Sequence, residues 1–262
     1  IERNLFKIIR RGQSRSFASN YGVLLRIMDN AQNVDPEEIS KFNALASRWW
    51  DPNGDFKALH DINPSRLEYI SQRTDLHAGP VIDVGCGGGI LAESIAATGA
   101  QTTGIDMAVK ALGVAKLHAL DSGAQVIYEE STAEEYAELK PAQFRTVTCL
   151  EMLEHVTHYP DTVKACAALA QPGADLFFST INRNPKAYLL LVLGAEYVLN
   201  ILPKGTHEYA KFIKPSELAQ ALRDAGLELV EIRGMNYNPL TRNCRISNDT
   251  DANYIVHARK PQ

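Results

Sequence analysis

Two stretches of this chain carry residue types that do chemistry. The first is Val81-Ile82-Asp83-Val84-Gly85-Cys86-Gly87-Gly88-Gly89-Ile90, in which an acid stands just ahead of a turn holding four glycines. Val81, Ile82 and Val84 are β-branched and apolar, the pattern of a buried parallel strand, and Ile90 to Ala96 begins a helix. Glycine permits a tight turn and close backbone approach to a ligand, so strand, turn and helix N-terminus together make a nucleotide-binding loop. A dinucleotide fingerprint counted from Gly85 needs glycine or alanine at position 90, where this chain has Ile90. What stands here is Asp83-x-Gly85-x-Gly87-x-Gly89, and its carboxylate suits a cationic ligand such as the ammonium and sulfonium of S-adenosylmethionine. Gln101 to Asp106 reads as a second strand ending in an acid that can accept both ribose hydroxyls. Taken singly, Asp83 and Asp106 could be ordinary strand-end or cap residues; with the loop they form a set.

The second stretch is Glu151-Met152-Leu153-Glu154-His155, which follows the apolar strand Phe144 to Leu150. In a doubly wound sheet the carboxyl ends of the strands face the ligand. If Glu151 to His158 is helical, Glu151, Glu154 and His155 share one face at i, i+3 and i+4. Such a set suits a divalent cation, which could hold a catecholate and lower its hydroxyl pKa. An amphipathic helix with solvated acids is the plainer alternative, and His158 could be a further ligand or merely exposed.

The elements that must position these groups follow from patterning. Asp35 caps and Pro36 starts a helix on which Phe42, Leu45, Ala46 and Trp49 recur at helical spacing, ending in the turn Pro52 to Asp55. Arg66 lies on the helix before the glycine loop, where it could hold the carboxylate of the cofactor or sit at the surface. Ala108 to Leu120 is a helix, with His118 packing or exposed; Gln125 to Tyr128 is a third strand and Ala133 to Leu139 a short acidic helix. Ala174 to Thr180 is a fifth strand preceded by the turn Gln171 to Gly173. A helix opening at Lys214-Pro215-Ser216 and strands over 227–232 and 254–258 close the domain.

Residues 183–213 are an insertion. Its apolar run, Ala187 to Leu202, is too short to span a bilayer and is flanked by Arg183, Lys186, Lys204 and Lys211. It reads as a helix in a membrane interface, a lid over a greasy substrate, or a core helix.

The chain has 262 residues and a net charge of −4, which gives no reason to expect nucleic acid as a partner. The four cysteines lack C-x-x-C spacing, against a zinc cage or disulfide framework. Residues 1–32 carry Arg3, Lys7, Arg10, Arg11, Arg15 and Arg26 against Glu2 and Asp29, the composition of a mitochondrial presequence or a basic surface helix.

From about Val34 onward the chain resembles the O-methyltransferases of ubiquinone (coenzyme Q) biosynthesis, class I S-adenosylmethionine-dependent enzymes. The resemblance rests on Ala46-Ser47-Arg48-Trp49-Trp50-Asp51, Ile62-Asn63-Pro64, the Asp83 to Glu93 loop, Ala115 to Leu120, Glu151 to His155, Phe178-Ser179-Thr180, Asn182-Arg183-Asn184 and Lys204-Gly205-Thr206-His207. It implies a doubly wound, mostly parallel seven-stranded sheet with N-terminal helices, formed by residues 33–262, and an insertion facing the membrane. It implies S-adenosylmethionine held by Arg66, Gly85, Asp106 and the backbone around Leu150, beside Asp83 and Gly87, to which the loop itself points. It also implies a Mg²⁺-type ion on Glu151, Glu154 and His155. His155 is then a ligand rather than a base, and His207 a base or substrate contact. The implied substrates are polyprenylated catechols, polyprenyl-dihydroxybenzoate and demethylubiquinol. The implied setting is peripheral, on the matrix face of the mitochondrial inner membrane among other coenzyme Q enzymes, or membrane-associated in a bacterial cytoplasm. Two departures stand out: Arg145-Thr146 follows Phe144 where the family carries an aspartate, and Leu150 replaces a common Met. A non-catalytic S-adenosylmethionine-binding scaffold, an oxidoreductase and a methyltransferase for a soluble catechol are the rival readings.

Overall fold

The computed structural model describes residues 33–187 and 209–262. Its first helix, α1 (Pro36–Leu45), starts as the sequence dictates: Asp35 Oδ1 accepts from the amides of Glu37 at 3.0 Å and Glu38 at 3.4 Å, with Pro36 at the first helical position. A 3₁₀ turn, Ala46–Arg48, leads to Trp49, and α2 (Lys57–Ser71) carries Arg66. Alternation follows: β1 (Val81–Val84), α3 (Ile90–Ala96), β2 (Thr102–Asp106), α4 (Val109–Ser122), β3 (Val126–Glu130), α5 (Ala133–Leu139), β4 (Phe144–Leu150), α6 (Tyr159–Leu169) and β5 (Ala170–Ile181). Then come α7 (Pro215–Asp224), β6 (Glu228–Asn238), β7 (Asn243–Ser247) and β8 (Asn253–Arg259).

These strands form one sheet of eight in the order β3-β2-β1-β4-β5-β8-β6-β7. The first five are mutually parallel, and β8, β6 and β7 are added antiparallel. The eighth strand, β7, pairs with the extended end of β6 and is the addition to the expected seven. Strand β5 begins four residues earlier than predicted, at Ala170, because 170–173 continue the ladder with a register shift beside Phe144 and Thr146.

Helices cover both faces, so β1 is buried throughout and its sequence is a continuous apolar run around Asp83. On one face Tyr136, Val163, Leu169 and Leu218 pack against Val147, Leu176 and Phe178; on the other Tyr69, Ile70, Leu91 and Ile95 pack against Val81, Phe177 and Ile255. The N-terminal segment has its own patch, where Ala46, Trp49 and Phe56 bury against Ile90, Ala108 and Ala111. That patch roofs the carboxyl ends of β1 and β2. Residues 1–32 and most of the Ala187 to Leu202 run lie outside the described residues, as does His207.

Candidate active site

The carboxyl ends of β1, β2, β4 and β5 open with α1 and α2 into a cavity of about 500 Å³. Arg66, Asp83, Gly85, Gly87, Asp106, Leu150, Glu151, Glu154 and His155, the described members of the predicted set, all line it. Separate segments of sequence thus meet at one sheet edge.

Asp83 is 4 % exposed and accepts from Thr148 Oγ1 at 2.6 Å. Burial pushes its carboxyl up to about 7, against the pull of Thr148 and Arg66. Asp106 Oδ2 accepts from the Gly87 amide at 2.8 Å and its Oδ1 from the Ala108 amide at 2.7 Å. Each oxygen keeps a second lone pair for a ribose hydroxyl. The same aspartate therefore fixes the glycine loop and faces the cavity.

The glycines have a further reason beyond ligand approach. A Cβ at Gly87 or Gly88 would stand 2.2 Å from the Trp49 indole, one at Gly85 2.4 Å from Met152, and one at Gly89 2.2 Å from the Tyr128 hydroxyl. Gly85, Gly87 and Gly89 also hold positive φ, at 73°, 53° and 89°. Trp49 and Met152 line the cavity, so the loop's Cα atoms are covered by side chains of the site itself.

Arg66 is 5 % exposed, with Nη2 paired to Glu151 Oε1 at 2.8 Å, while its buried Nε–H finds no acceptor among the described residues. A buried guanidinium with an unused donor is a fit for a carboxylate, such as the one on S-adenosylmethionine. Together with two acids, Asp83 and Asp106, the residues present match that cofactor's carboxylate, ammonium and ribose.

The predicted helix over 151–158 does not form. Glu151 sits at φ 53°, outside the right-handed helical region, and only Leu153–His155 makes a 3₁₀ turn before Val156 becomes extended. Glu151 accepts from Ser179 Oγ at 2.6 Å and Asn253 Nδ2 at 2.8 Å, besides facing Arg66. Glu154, 3 % exposed, accepts from Thr180 Oγ1 at 2.8 Å, and burial plus the Glu151 charge raise its carboxyl to about 7. His155 Nδ1 lies 2.8 Å from Glu38 Oε2, and its ring meets Phe42 edge-on at 5.0 Å. Burial works against ionisation of Glu38, yet His155, Lys41 and Lys211 hold its carboxyl below the usual range. Among the described residues no three His, Cys, Asp or Glu side chains converge on a common metal position. In this arrangement Glu151 faces Arg66, Ser179 and Asn253, Glu154 faces Thr180 through one oxygen and His155 faces Glu38 through Nδ1, so the three side chains do not converge on one point. His158 is exposed and pairs with Asp161 at 2.8 Å.

Glu38, Trp49, Ser179, Thr180 and Asn253 shape the site without having been assigned a role from sequence. Ser179 sits opposite Leu150 in the β4–β5 register, so pairing those strands would have placed it. Asn253 has no sequence signal; only the antiparallel insertion of β8 beside β5 brings it to Glu151.

Comparison with known proteins agrees with this architecture. A family model described as a methyltransferase domain matches residues 57–232. The ubiquinone biosynthesis O-methyltransferase of Azoarcus sp. (strain BH72) is 59 % identical over 228 residues, covering 87 % of this chain and 98 % of that protein. The one from Nitrosospira multiformis is 58 % identical over 233 residues, covering 89 % of this chain and 98 % of its own. Among solved structures, magnesium protoporphyrin IX methyltransferase from Synechocystis PCC 6803 with bound SAM superposes with a TM-score of 0.58 at 19 % identity, covering 85 % of this chain and 97 % of that one. A SAM-dependent methyltransferase from Thermotoga maritima does so with a TM-score of 0.61 at 18 % identity, covering 86 % and 98 %. These two share the fold; the sequence relatives are nearer, and the chain belongs to the ubiquinone biosynthesis O-methyltransferase family of class I S-adenosylmethionine-dependent methyltransferases.

Proposed function

We propose that this protein moves a methyl group from S-adenosylmethionine to a phenolic hydroxyl of polyprenylated catechols, polyprenyl-dihydroxybenzoate and demethylubiquinol. The observation that carries the reading is the single cavity joining Arg66, Asp83 and Asp106 to a carboxylate-anchored imidazole, His155 with Glu38. The cofactor, when bound, supplies an electrophilic methyl on its sulfonium. Arg66 binds its carboxylate, Asp83 its ammonium and Asp106 its ribose, with Gly85, Gly87 and Leu150 walling the site. Val34, Ile39, Phe42 and Pro239 add apolar surface for a hydrophobic acceptor. Glu38 holds His155 through Nδ1, leaving Nε2 as acceptor of the phenolic proton, a general-base role worth about 10²–10⁴-fold. Most of the remaining acceleration comes from aligning oxygen, carbon and sulfur.

A metal-assisted version, with Mg²⁺ on Glu151, Glu154 and His155, is the second reading. In its favour is the charge of Glu151 bearing on the buried Glu154, a repulsion that a cation would relieve. It requires Glu151 to turn away from Arg66 and Asn253 and His155 from Glu38.

We place the activity in residues 33–262, at a membrane surface, with the 183–213 insertion in contact through about 187–202 and other coenzyme Q proteins nearby. No helix among the described residues is long and apolar enough to cross a membrane. The relatives compared are bacterial, which supports a bacterial setting; a mitochondrial one makes 1–32 a presequence, tested by whether that segment carries a fused reporter into mitochondria.

The deciding experiment is methyl transfer to a short-tailed prenyl dihydroxybenzoate, with and without chelator, for the parent, His155→Ala and Glu154→Ala. Transfer that persists in chelator and falls about 10²–10⁴-fold in His155→Ala supports the imidazole base. Transfer abolished both by chelator and by Glu154→Ala favours the metal. Binding of S-adenosylhomocysteine with no transfer to any catechol leaves a scaffold, and rates indifferent to tail and lipid indicate a soluble catechol.

A further inference from the structure

The chain contains two tryptophans, Trp49 and Trp50, and both grip the glycine loop. Trp49 lies over Gly87 and Gly88, stacked on Phe56 at 3.9 Å between ring centroids. Trp50 donates from Nε1 to the Gly88 carbonyl at 2.8 Å. Its ring lies parallel to His118 at 3.4 Å, and His118 Nδ1 is 2.8 Å from the buried Glu93 on α3. One loop residue, Gly88, is thus held by an indole face and an indole N–H at once.

The same N-terminal segment reaches the acceptor side of the cavity. The Phe42 ring meets Trp49 at 6.0 Å and His155 at 5.0 Å, and Glu38, one turn earlier on α1, holds His155 Nδ1. Gly88, Trp49, Phe42 and His155 therefore form an unbroken line of contacts from the nucleotide loop to the imidazole. Packed rings of this kind cannot shift one at a time without opening a void.

We propose that Phe42, Trp49 and Trp50 are positioning residues that couple the two halves of the cavity: filling the glycine-loop side sets His155, and with it the acceptor pocket. The inference rests on the methyltransferase reading above. It explains why neighbouring tryptophans face one loop, and why the helix that carries Glu38 is joined to them by a single 3₁₀ turn.

The test combines three measurements on the full chain. Calorimetry gives the affinity for S-adenosylhomocysteine, and tryptophan emission, which reports only on Trp49 and Trp50, is followed in the same titration. Binding of a short-tailed prenyl dihydroxybenzoate is then measured with and without S-adenosylhomocysteine, for the parent and Phe42→Leu. The expected result is an emission change that saturates with the calorimetric affinity, and catechol binding at least about 5-fold tighter in its presence. In Phe42→Leu the affinity for S-adenosylhomocysteine should stay within about 2-fold while the catechol enhancement disappears. Emission indifferent to S-adenosylhomocysteine, equal catechol affinity with and without it in the parent, or full enhancement in a folded Phe42→Leu each overturns the coupling. If Phe42→Leu does not fold, the parent's emission and catechol affinities decide. Failure of S-adenosylhomocysteine to bind at all overturns the methyltransferase reading itself.

Discussion

Arg66 and Glu151 meet across the mouth of the sheet, Nη2 to Oε1 at 2.8 Å, joining the helix before β1 to the turn after β4. The pair is nearly dry, with side chains 6 % and 17 % exposed, and Glu151 draws two more donors from β5 and β8. Three segments thus converge on the carboxylate of a fourth.

Arg66→Gln should therefore act on cofactor binding first. Loss of a charge-assisted contact worth about 1.5–3 kcal/mol raises KM for S-adenosylmethionine roughly 10- to 100-fold, with a smaller change in kcat. Calorimetry with S-adenosylhomocysteine checks it.

Gly88 has no positive φ, so Gly88→Ala isolates the approach of Trp49 from backbone strain. The added methyl should destabilise the fold by about 1–3 kcal/mol through overpacking and weaken S-adenosylhomocysteine binding. Combining it with Trp49→Leu should recover part of the stability; thermal unfolding of both variants reads the result.

Asp83 titrates near 7 in the folded protein, because burial disfavours its charge, and near 3.8 in the unfolded chain. Between those values the folded state keeps a proton that the unfolded state has lost. Stability of the ligand-free protein should then fall as pH rises through that window, by at most about 1.4 kcal/mol per pH unit from this group. A cationic ligand selects the ionised form, so S-adenosylhomocysteine affinity should rise with pH through about 7. Asp83→Asn should flatten both profiles, measured by denaturant unfolding and calorimetry from pH 5 to 8.

Asp61 on α2 accepts from Tyr237 Oη at 2.6 Å, Lys57 Nζ at 3.0 Å and Arg242 Nη2 at 2.8 Å, fastening the β6–β7 hairpin to the cavity wall. Burial opposes its ionisation, but the hydrogen bonds from Arg242, Tyr237 and Lys57 win and lower its carboxyl from 3.8 to about 2. The stabilisation is complete above 3.8 and lost as pH falls toward about 2. Asp61→Asn should cost about 2 kcal/mol at pH 7 and speed hydrogen exchange in 237–247.

The fold was largely legible because its signals are local: the β-branched run at Val81, the Asp35-Pro36 start and the glycine turn each report on a few neighbouring residues. A position that depends on distant pairing leaves no such local mark. Glu151 was expected to open a helix, since its spacing to Glu154 and His155 fits one. It is instead turned to positive φ by Arg66, Ser179 and Asn253, each remote in sequence. Glu38 is one of two acids in the first turn of α1, and only the docking of that helix over the sheet edge gives it His155. Strand β7 leaves little trace in the sequence because Asn243 to Ser247 is short and only partly buried.

The order in which the strands are synthesised differs from the order in which they pair, and this has a consequence for biogenesis. Strands β6 and β7 leave the ribosome before β8, yet β8 lies between β5 and β6. Until it arrives, β5 and β6 each present an unpaired edge, a hazard for intermolecular pairing during translation. The same late strand brings Asn253 to Glu151, so a nascent chain long enough to contain the glycine loop, Arg66 and His155 still has an unfinished site.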